Sequence, residues 1–263
     1  RLESSSSPAR RRGFSGVISE CVPTSRNLPP VSACCFAGQV AEFRADINGN
    51  WRAELKPVKS KGPHRMVLAG RNRITIQNIL VGEVWICSGQ SNMEWPLKRT
   101  LNSAHEIADA EFPDIRLFKV VRNAIGKPQD NCQGSWSPCN PQAAKTFSAV
   151  AYFFGKHLHR DTGKPIGLIQ STWGGTPVEG WTSQEALAKV KVAKPILERW
   201  ALQRSSYTKN QTVYLSQLSK WETAKQKAEK RGGQVPLRPR TPSNPTTRSH
   251  HPGSLFNGMI YPL

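Results

Sequence analysis

Residues Val81–Leu97 read VGEVWICSGQSNMEWPL. The apolar run Val84–Ile86 is β-branched or aromatic throughout, which predicts a strand. The strand leads into the polar turn Ser88–Asn92. A strand that ends in a glycine turn and a serine can present that hydroxyl at the carboxyl end of a sheet, where open α/β sheets carry their reactive groups. The stretch therefore predicts an α/β fold with Ser91 as a candidate nucleophile.

The serine turn has a second interpretation. The nucleophile elbow of α/β-hydrolases has the pattern G-x-S-x-G, and here Met93 stands where the second glycine should be. Taken alone, the triplet from Gly89 to Ser91 is far more typical of a turn serine that satisfies backbone donors than of a nucleophile. A functional interpretation therefore needs a second motif.

Two further stretches supply such motifs. Residues Gly167–Trp181 read GLIQSTWGGTPVEGW, and Ser254–Leu263 read SLFNGMIYPL. Together with GQSNMEW they resemble, in the same order, the signature blocks of the sialate O-acetylesterase family, a branch of the SGNH hydrolases. The resemblance covers Phe36–Leu263 with a divergent middle. Two long motifs in the right order are more specific than one short pattern.

The resemblance implies a domain plan. It implies an α/β fold in which an SGNH-hydrolase-like parallel sheet, incomplete here, is flanked by helices and preceded by a small partial β-sandwich. We expect residues 1–35 to be a divergent or disordered segment and 36–80 to be the partial sandwich. Residues 81–263 would then be a truncated catalytic domain. That domain would carry a basic helical insertion at about 183–231 and a Pro-rich linker at 235–253.

Local patterns agree with this plan in the first half of the chain. Residues Val40–Ala45 and Trp51–Leu55 alternate in polarity around the turn Asn48–Asn50, which predicts a β-hairpin. Met66–Leu68 and Ile74–Ile76 predict two further strands. Residues 1–35 show no comparable pattern, which is also typical of an ordinary disordered terminus.

Strands and helices alternate after the serine turn. We predict helices at Ser103–Ala110 and Thr146–Arg160, and strands at Asp114–Val121 and Ile166–Gln170. Pro113 bounds the first of these strands. Strand, helix and strand at this spacing favour βαβ units and a parallel sheet.

The insertion has a helical pattern. Ser183 is predicted to cap a helix that runs toward Lys194, with Pro195 interrupting it and Ile196–Arg231 continuing. Three apolar residues at helical spacing are predicted to form a packing face: Leu215, Leu218 and Trp221. Residues 235–253 show no packing pattern.

Basic residues are concentrated in the same region. The formal net charge is +19, and Lys189–Arg248 holds fourteen Lys or Arg against three Glu. Such a patch can bind nucleic acid, an anionic polysaccharide or another acidic surface. We favour a solvated helix face, because no aromatic residues alternate with the basic ones as base stacking would need, and keep the nucleic-acid interpretation as an alternative.

The residues alone do not identify the cellular compartment. No apolar run reaches the roughly 18 residues of a membrane span. The chain does not begin with Met, and Gly13–Val22 is too short for the apolar core of a signal peptide. The family resemblance implies a periplasmic or extracellular protein.

The six cysteines contain no C-x-x-C pair, which argues against a zinc cluster, and we predict no metal and no cofactor. Cys87 is expected to pack as a small hydrophobic residue. Cys132 and Cys139 could pair in an oxidising compartment or could be two free thiols.

The resemblance assigns roles to single residues. Ser91 would be the nucleophile, and its backbone N–H would be one oxyanion donor. Gly174 or Gly175 would supply another, because glycine lets the backbone approach a substrate closely. Four further residues would orient the loop or contact the sugar: Gln90, Asn92, Trp173 and Trp181.

Two of the family's elements are missing from the sequence. The third block, W-Y-Q-G-E-S-N, would follow almost directly after Leu263, and the catalytic Asp-x-x-His would come later still. None of the six histidines stands in that arrangement, and His157 and His159 are expected to be surface or packing residues.

The expected function is therefore a carbohydrate O-acetylesterase that acts on O-acetylated sugars, inactive or incomplete in this chain. The alternative is a non-catalytic fragment or a module that binds carbohydrate or polyanion.

Overall fold

A computed structural model describes residues 2–4, 32–47 and 49–263. In these residues the chain is a mixture of strands and helices, as the α/β prediction required. The strands are Leu2–Ser4 (β1), Ser32–Phe36 (β2), Gln39–Phe43 (β3), Trp51–Ala53 (β4), His64–Ala69 (β5), Arg73–Ile79 (β6), Glu83–Gly89 (β7), Phe112–Lys119 (β8), Trp136–Cys139 (β9) and Ile166–Thr172 (β10). The α-helices are Ser91–Glu94 (α1), Ser103–Ala108 (α2), Pro141–Ala144 (α3), Ala149–Thr162 (α4), Gln184–Ala188 (α5) and Lys194–Lys230 (α6).

Short 3₁₀ and π turns join several of these elements. They are Leu97–Arg99, Val178–Trp181, Lys191–Ala193 and Pro245–Thr247, which are 3₁₀ turns, and Phe256–Ile260, which is a π turn.

The described chain divides into two compact units. The first comprises the described residues up to Ile86, together with Pro96–Leu117 and Trp136–Ile169. The second comprises Cys87–Trp95, Phe118–Ser135 and Gln170–Leu263. Each predicted site residue falls in the second unit. The domain boundaries proposed from the sequence stay a prediction.

An antiparallel sheet of strand order β3-β2-β5-β6 belongs to the first unit. Alternate residues of these strands face one cluster, as expected for a sheet with one buried face. The buried members of the cluster are Cys34, Phe36, Ala53 and Met66.

A second sheet has the strand order β7-β10-β8-β9. At one end of the β7–β10 pair the N–H of Glu83 donates to the carbonyl of Pro165 at 3.0 Å. At the other end the N–H of Trp173 donates to the carbonyl of Gly89 at 3.2 Å. The beginning of β7 pairs with the beginning of β10, and the end of β7 pairs with the end of β10. The two strands therefore run parallel. The loops that follow them therefore leave from carboxyl ends of neighbouring strands.

Helix α4 begins three residues later than predicted. The Ser148 hydroxyl caps it by accepting the N–H of Ala151 at 3.2 Å, and Gly163 ends it in the left-handed region at φ 65°. Its buried face consists of small residues and Tyr152, whereas Val150 is 48% exposed. The small face allows a close approach, because a Cβ on Gly155 would lie 2.6 Å from the side chain of Leu168.

The predicted helix from Ser183 toward Lys194 is wrong in its extent. Ser183 caps α5, which ends at Ala188, and α6 then begins at Lys194 as a helix of 37 residues. Pro195 does not interrupt α6, because it lies in the first turn, where a missing N–H costs no intrahelical hydrogen bond.

The predicted packing face of α6 is wrong at one of its three residues. Leu215 is 54% exposed, whereas Trp200 and Tyr214 are buried. Leu218 and Trp221 are partly buried and share a helical face with Tyr214, since they follow it by four and seven positions.

Residues 235–253 pack, contrary to expectation. The Trp221 Nε1–H donates to the carbonyl of Pro236 at 2.8 Å, and Thr241 bonds to the Tyr214 hydroxyl at 3.2 Å. At the far end of the segment Pro245 is buried and His251 is 1% exposed. Prolines fix the backbone without helical or strand periodicity, so the sequence pattern did not reveal this packing.

The strand predictions need three corrections. Strand β1 and all of β2 except Phe36 lie inside 1–35, which was expected to be divergent or disordered, and the remainder of that segment lies outside the described residues. Strand β4 pairs with β1 rather than with β3, so the predicted hairpin is wrong, although Gly49 N–H donates to the Asp46 carbonyl at 3.0 Å in the intervening turn. Strand β8 contains Pro113 instead of starting after it.

Cys132 and Cys139 are free thiols, and Cys87 is buried. Burial raises the pKa of the Cys139 thiol to about 12, with a further contribution from the charge of Glu111. Within the part of the chain that the structure describes, no helix combines the length and the apolar character needed to cross a bilayer.

We expect Leu168→Ala to lower the free energy of unfolding by about 2–5 kcal/mol, because Leu168 is fully buried against α4 and its loss leaves a cavity. Urea denaturation followed by tryptophan fluorescence measures the change. Leu101→Ala is the control, since Leu101 is 90% exposed and should change the free energy of unfolding by less than about 0.5 kcal/mol. Equal effects of the two substitutions would contradict the packing of α4 on β10.

Candidate active site

Ser91 is the first residue of α1 and follows directly on the end of β7. Gly89 closes the strand at φ +151°, a conformation that L-residues with a side chain rarely adopt. A Cβ at Gly89 would also lie 3.1 Å from the Cβ of Met93. The turn therefore requires glycine, and it leaves Ser91 exposed at the carboxyl end of the strand.

The Gln90 amide oxygen joins the two loops. It accepts the Ser91 hydroxyl at 2.7 Å and the Gly175 N–H at 3.3 Å. The second distance lies beyond the usual N–H···O range, so this N–H is only weakly held. Gln90, predicted to contact substrate, here uses its oxygen to link Ser91 to the glycine loop.

Gly174 lies against the serine. A Cβ on Gly174 would be 3.6 Å from the Cα of Ser91, 3.8 Å from its Oγ and 2.7 Å from Oε2 of Glu94. The site therefore has no room for a side chain at position 174. The N–H of Gly174 donates to Oε2 of Glu94 at 2.8 Å. In this structure the Gly174 N–H, one of the two predicted alternatives for an oxyanion donor, therefore has a carboxylate partner.

Glu94 is a site residue that the sequence did not single out. Its carboxylate also forms an ion pair with Arg122, whose guanidinium lies 5.2 Å from the ring centre of Trp173. Burial raises the pKa of Glu94, but the hydrogen bonds from Arg122 and Gly174 and the charges of Arg122 and Lys119 outweigh it, so the pKa lies below its ordinary value. Glu94 is therefore ionised near neutral pH.

The sequence could have indicated Glu94 as a site residue, since it is a carboxylate within one helical turn of the candidate serine. It could not have indicated Arg122, because nothing in the sequence pattern links a residue 28 positions away to that turn.

The remaining predicted residues surround the glycine loop. Trp173 and Trp181 are half-buried, and Trp181 Nε1–H donates to the Thr176 hydroxyl at 2.8 Å. That hydroxyl donates in turn to the Trp173 carbonyl at 2.6 Å, which closes the loop on itself. Asn92 is exposed on α1.

Two N–H groups have no carboxylate partner among the described residues and stay candidate oxyanion donors. The N–H of Ser91 opens α1 and so has no intrahelical acceptor. In the described part of the chain, the N–H of Gly175 has only its long bond to Gln90.

No histidine is hydrogen-bonded to Ser91 among the described residues. His157 is exposed, and a ring nitrogen of His159 lies 2.7 Å from the Lys164 carbonyl. His251 is buried and lies 3.2 Å from a guanidinium nitrogen of Arg204. Within the same residues, no group of three or more His, Cys, Asp or Glu side chains is placed to hold a metal ion.

Similar proteins carry consistent names. A sialate O-acetylesterase from Rattus norvegicus is 28% identical over 232 residues, which are 82% of this chain and 40% of the rat protein. A sialate O-acetylesterase from Homo sapiens is 33% identical over 159 residues, which are 55% of this chain and 30% of the human protein. The chain is a relative of the sialate O-acetylesterases.

A solved structure agrees with this relationship. The crystal structure of a novel carbohydrate acetylesterase from Xanthomonas citri matches at a TM-score of 0.59 and 35% identity, over 61% of this chain and 38% of that chain. No family model matches the chain. The chain spans less than half the length of the relatives named above.

We expect Glu94→Gln to lower the free energy of unfolding by about 1–3 kcal/mol at pH 7, because two hydrogen bonds to a charged group are weakened. The folded pKa of Glu94 is depressed, so the ionised carboxylate stabilises the fold above its unfolded pKa of about 4.3 and stops doing so as the pH falls through the folded value. The difference between the parent chain and Glu94→Gln should therefore shrink below about pH 4.

Urea denaturation at pH 7, 5 and 3.5 measures this difference. Glu185→Gln is the matched control, because Glu185 pairs with Lys189 on an open surface with its side chain 83% exposed and should change little at any pH. A difference for Glu94→Gln that stays constant from pH 7 to 3.5 would contradict the ionised contact.

Proposed function

We propose that this chain contributes the serine nucleophile and part of the oxyanion site of a carbohydrate O-acetylesterase, which removes acetyl groups from O-acetylated sugars. The observation that carries the proposal is the contact of Ser91 with the Gly174–Gly175 loop at the ends of two parallel strands. The names of the relatives support the substrate class. The proposal includes an SGNH-hydrolase-like parallel sheet preceded by a partial β-sandwich.

The proposed reaction begins at the Ser91 hydroxyl. Its oxygen attacks the acetyl carbonyl carbon and its proton passes to a base; the bond to the sugar oxygen breaks, the sugar takes that proton, and acetyl-serine remains. Water then attacks the acetyl-serine, which releases acetate and restores the Ser91 hydroxyl. The negative charge on the carbonyl oxygen would be stabilised by the N–H groups of Ser91 and Gly175. Gly175 can release its long bond to Gln90 at little cost, because that bond is weak at 3.3 Å.

The proton of Ser91 needs an acceptor. In the described residues the hydroxyl donates to the Gln90 amide oxygen, and a neutral amide does not act as a general base near pH 7. We infer that the base comes from outside the described residues, in a further segment of the polypeptide or in a second polypeptide. The 263 residues alone should then hydrolyse esters poorly. The alternative function is a module that binds sugar without cleaving it.

The sugar would lie beside the same loops. Trp173 and Trp181 present half-buried aromatic rings, which suit the apolar faces of sugar rings. The free amide nitrogen of Gln90 and the exposed side chain of Asn92 could hydrogen-bond to sugar hydroxyls. One face of Trp173 is covered by Arg122, so the opposite face would be the one that contacts sugar.

Activity toward an aryl acetate tests the proposal. We expect the purified 263-residue chain to match its Ser91→Ala variant, with both near background. A longer polypeptide that includes the residues encoded beyond Leu263 should be active, and Ser91→Ala in that polypeptide should lower kcat by at least about a thousandfold. Ser88→Ala, a serine on the same strand, is the control and should keep most of the activity.

The outcomes separate the alternatives. Rapid turnover by the 263-residue chain that Ser91→Ala abolishes would place the base inside the chain and contradict the inference of an external base. A longer polypeptide that binds O-acetylated sugar without releasing acetate would favour the binding module.

A further inference from the structure

A histidine is buried against an arginine in the second unit, outside the candidate active site. His251 is 1% exposed and lies in the turn formed by residues 248–254. Its Nε2 atom lies 3.2 Å from a guanidinium nitrogen of Arg204 on α6. Its ring also packs edge-on against Trp200, with 5.1 Å between the ring centres. The first half of α6 therefore fixes the imidazole by two separate contacts.

The contact with Arg204 determines the protonation state of His251. An arginine side chain has only N–H donors and keeps its charge at every pH at which proteins are folded. The Nε2 atom must therefore accept the hydrogen bond, which requires a neutral imidazole with its proton on Nδ1. Protonation of Nε2 would replace this acceptor by a donor and would bring two positive charges together in a buried site.

The groups packed around His251 provide no negative charge that could offset a second proton. Arg204 is the charged group that acts on the ring from α6, and among the described residues no carboxylate pairs with it. The other titratable side chains of the turn, Arg248 and His250, both bond to neighbouring serines. From α5 the turn receives a hydrogen bond from the neutral amide of Gln184.

Burial lowers the pKa of His251, and the charge of Arg204 lowers it further. A backbone hydrogen bond at Pro252 offsets only part of this effect. A histidine in an unfolded chain has a pKa of about 6.5, so the unfolded chain takes up the proton more readily than the folded one. Stability is therefore lost as the pH falls below about 6.5, until the folded ring is itself protonated.

The turn around His251 is linked to the loop of the candidate site. The N–H of Gly253 donates to the carbonyl of Glu179 at 2.8 Å. Glu179 belongs to the 3₁₀ turn Val178–Trp181, whose tryptophan donates to the Thr176 hydroxyl at 2.8 Å. A displacement of residues 248–254 would therefore remove a support of the segment that follows Gly174 and Gly175.

We propose that His251 is a pH-sensitive switch: its neutral ring holds the turn 248–254 against α6, and its protonation in mildly acidic solution releases that turn and loosens the segment after the glycine loop. The switch does not involve Ser91, and none of the measurements that test it depends on esterase activity.

NMR of the histidine rings tests the protonation state directly. The ring signals of the 263-residue chain are followed from pH 8 to pH 4.5, and His251 is assigned through its contact with the Trp200 ring. We expect His251 to be neutral with its proton on Nδ1 at pH 6.5, where a histidine in an unfolded chain is about half protonated. A ring that is half protonated or more at pH 6.5, or that carries its proton on Nε2, would overturn the proposal.

Urea denaturation at pH 7.5 and 5.0 measures the effect on stability. The midpoint of the parent chain should fall between these pH values. His251→Gln offers an amide oxygen to Arg204 and cannot take up a proton, so its midpoint should fall by no more than about half as much. His250→Gln is the matched control, because it removes the exposed imidazole at the next position and should leave the fall of the parent chain unchanged.

Arg204→Gln separates the charge from the hydrogen bond, since it keeps an N–H donor for His251 and removes the positive charge. It should also reduce the fall, and it decides the question with the NMR titration if His251→Gln does not fold. Equal falls in the parent chain and both variants would overturn the proposal.

Amide hydrogen exchange reports on the turn itself. The protection factor of the Gly253 N–H should drop about tenfold or more from pH 7.5 to 5.0 in the parent chain and stay nearly constant in His251→Gln. Unchanged protection in the parent chain would show that the turn stays closed and would contradict the switch.

Discussion

The candidate site depends on the ionised carboxylate of Glu94. One oxygen accepts the N–H of Gly174, and the other pairs with Arg122, so a single side chain ties the helix after β7 to the loop after β10. Burial alone would raise the pKa of Glu94, and the hydrogen bonds and charges of its partners outweigh that effect and favour the ionised form. The Gly175 bond to Gln90 and the Trp173 bond to the Gly89 carbonyl are further links between the same two segments.

This carboxylate also explains why the loop has glycine at position 174. The Glu94 oxygen and the Ser91 backbone occupy the space where a Cβ would lie. A glycine at an oxyanion site is usually explained by access for substrate. Here the close approach serves the protein's own carboxylate, and the neighbouring Gly175 is left with the weaker and more exchangeable hydrogen bond.

The sequence could predict features that depend on neighbouring residues. The strand before Ser91, the helix cap at Ser183 and the strand before the glycine loop follow from local periodicity and capping chemistry, and their positions were close to those observed. Contacts between distant positions were missed, such as Glu94 with Arg122 and β4 with β1, because no local pattern encodes them.

The structural effect of proline was predicted wrongly at two positions. Pro195 was taken as a helix break but lies in the first turn of α6, and Pro113 was taken as a boundary but lies within β8. The effect of a proline depends on whether its missing N–H would have had a partner, which the sequence alone does not show. The Pro-rich segment that packs on α6 was taken as a linker for the same reason, since its order comes from side-chain contacts such as Trp221 with Pro236.

The shared oxygen of Gln90 couples two steps of the proposed reaction. When a base draws the Ser91 hydroxyl toward itself, that hydroxyl must give up its 2.7 Å bond to Gln90. The same amide oxygen then retains only the 3.3 Å contact from Gly175, whose N–H is one of the proposed oxyanion donors. If the Gln90 side chain rotates when the Ser91 hydroxyl breaks this hydrogen bond, the Gly175 N–H becomes available to donate to the acetyl carbonyl oxygen. Activation of the Ser91 hydroxyl and release of the Gly175 N–H would therefore occur together, and both would require the base to be in place.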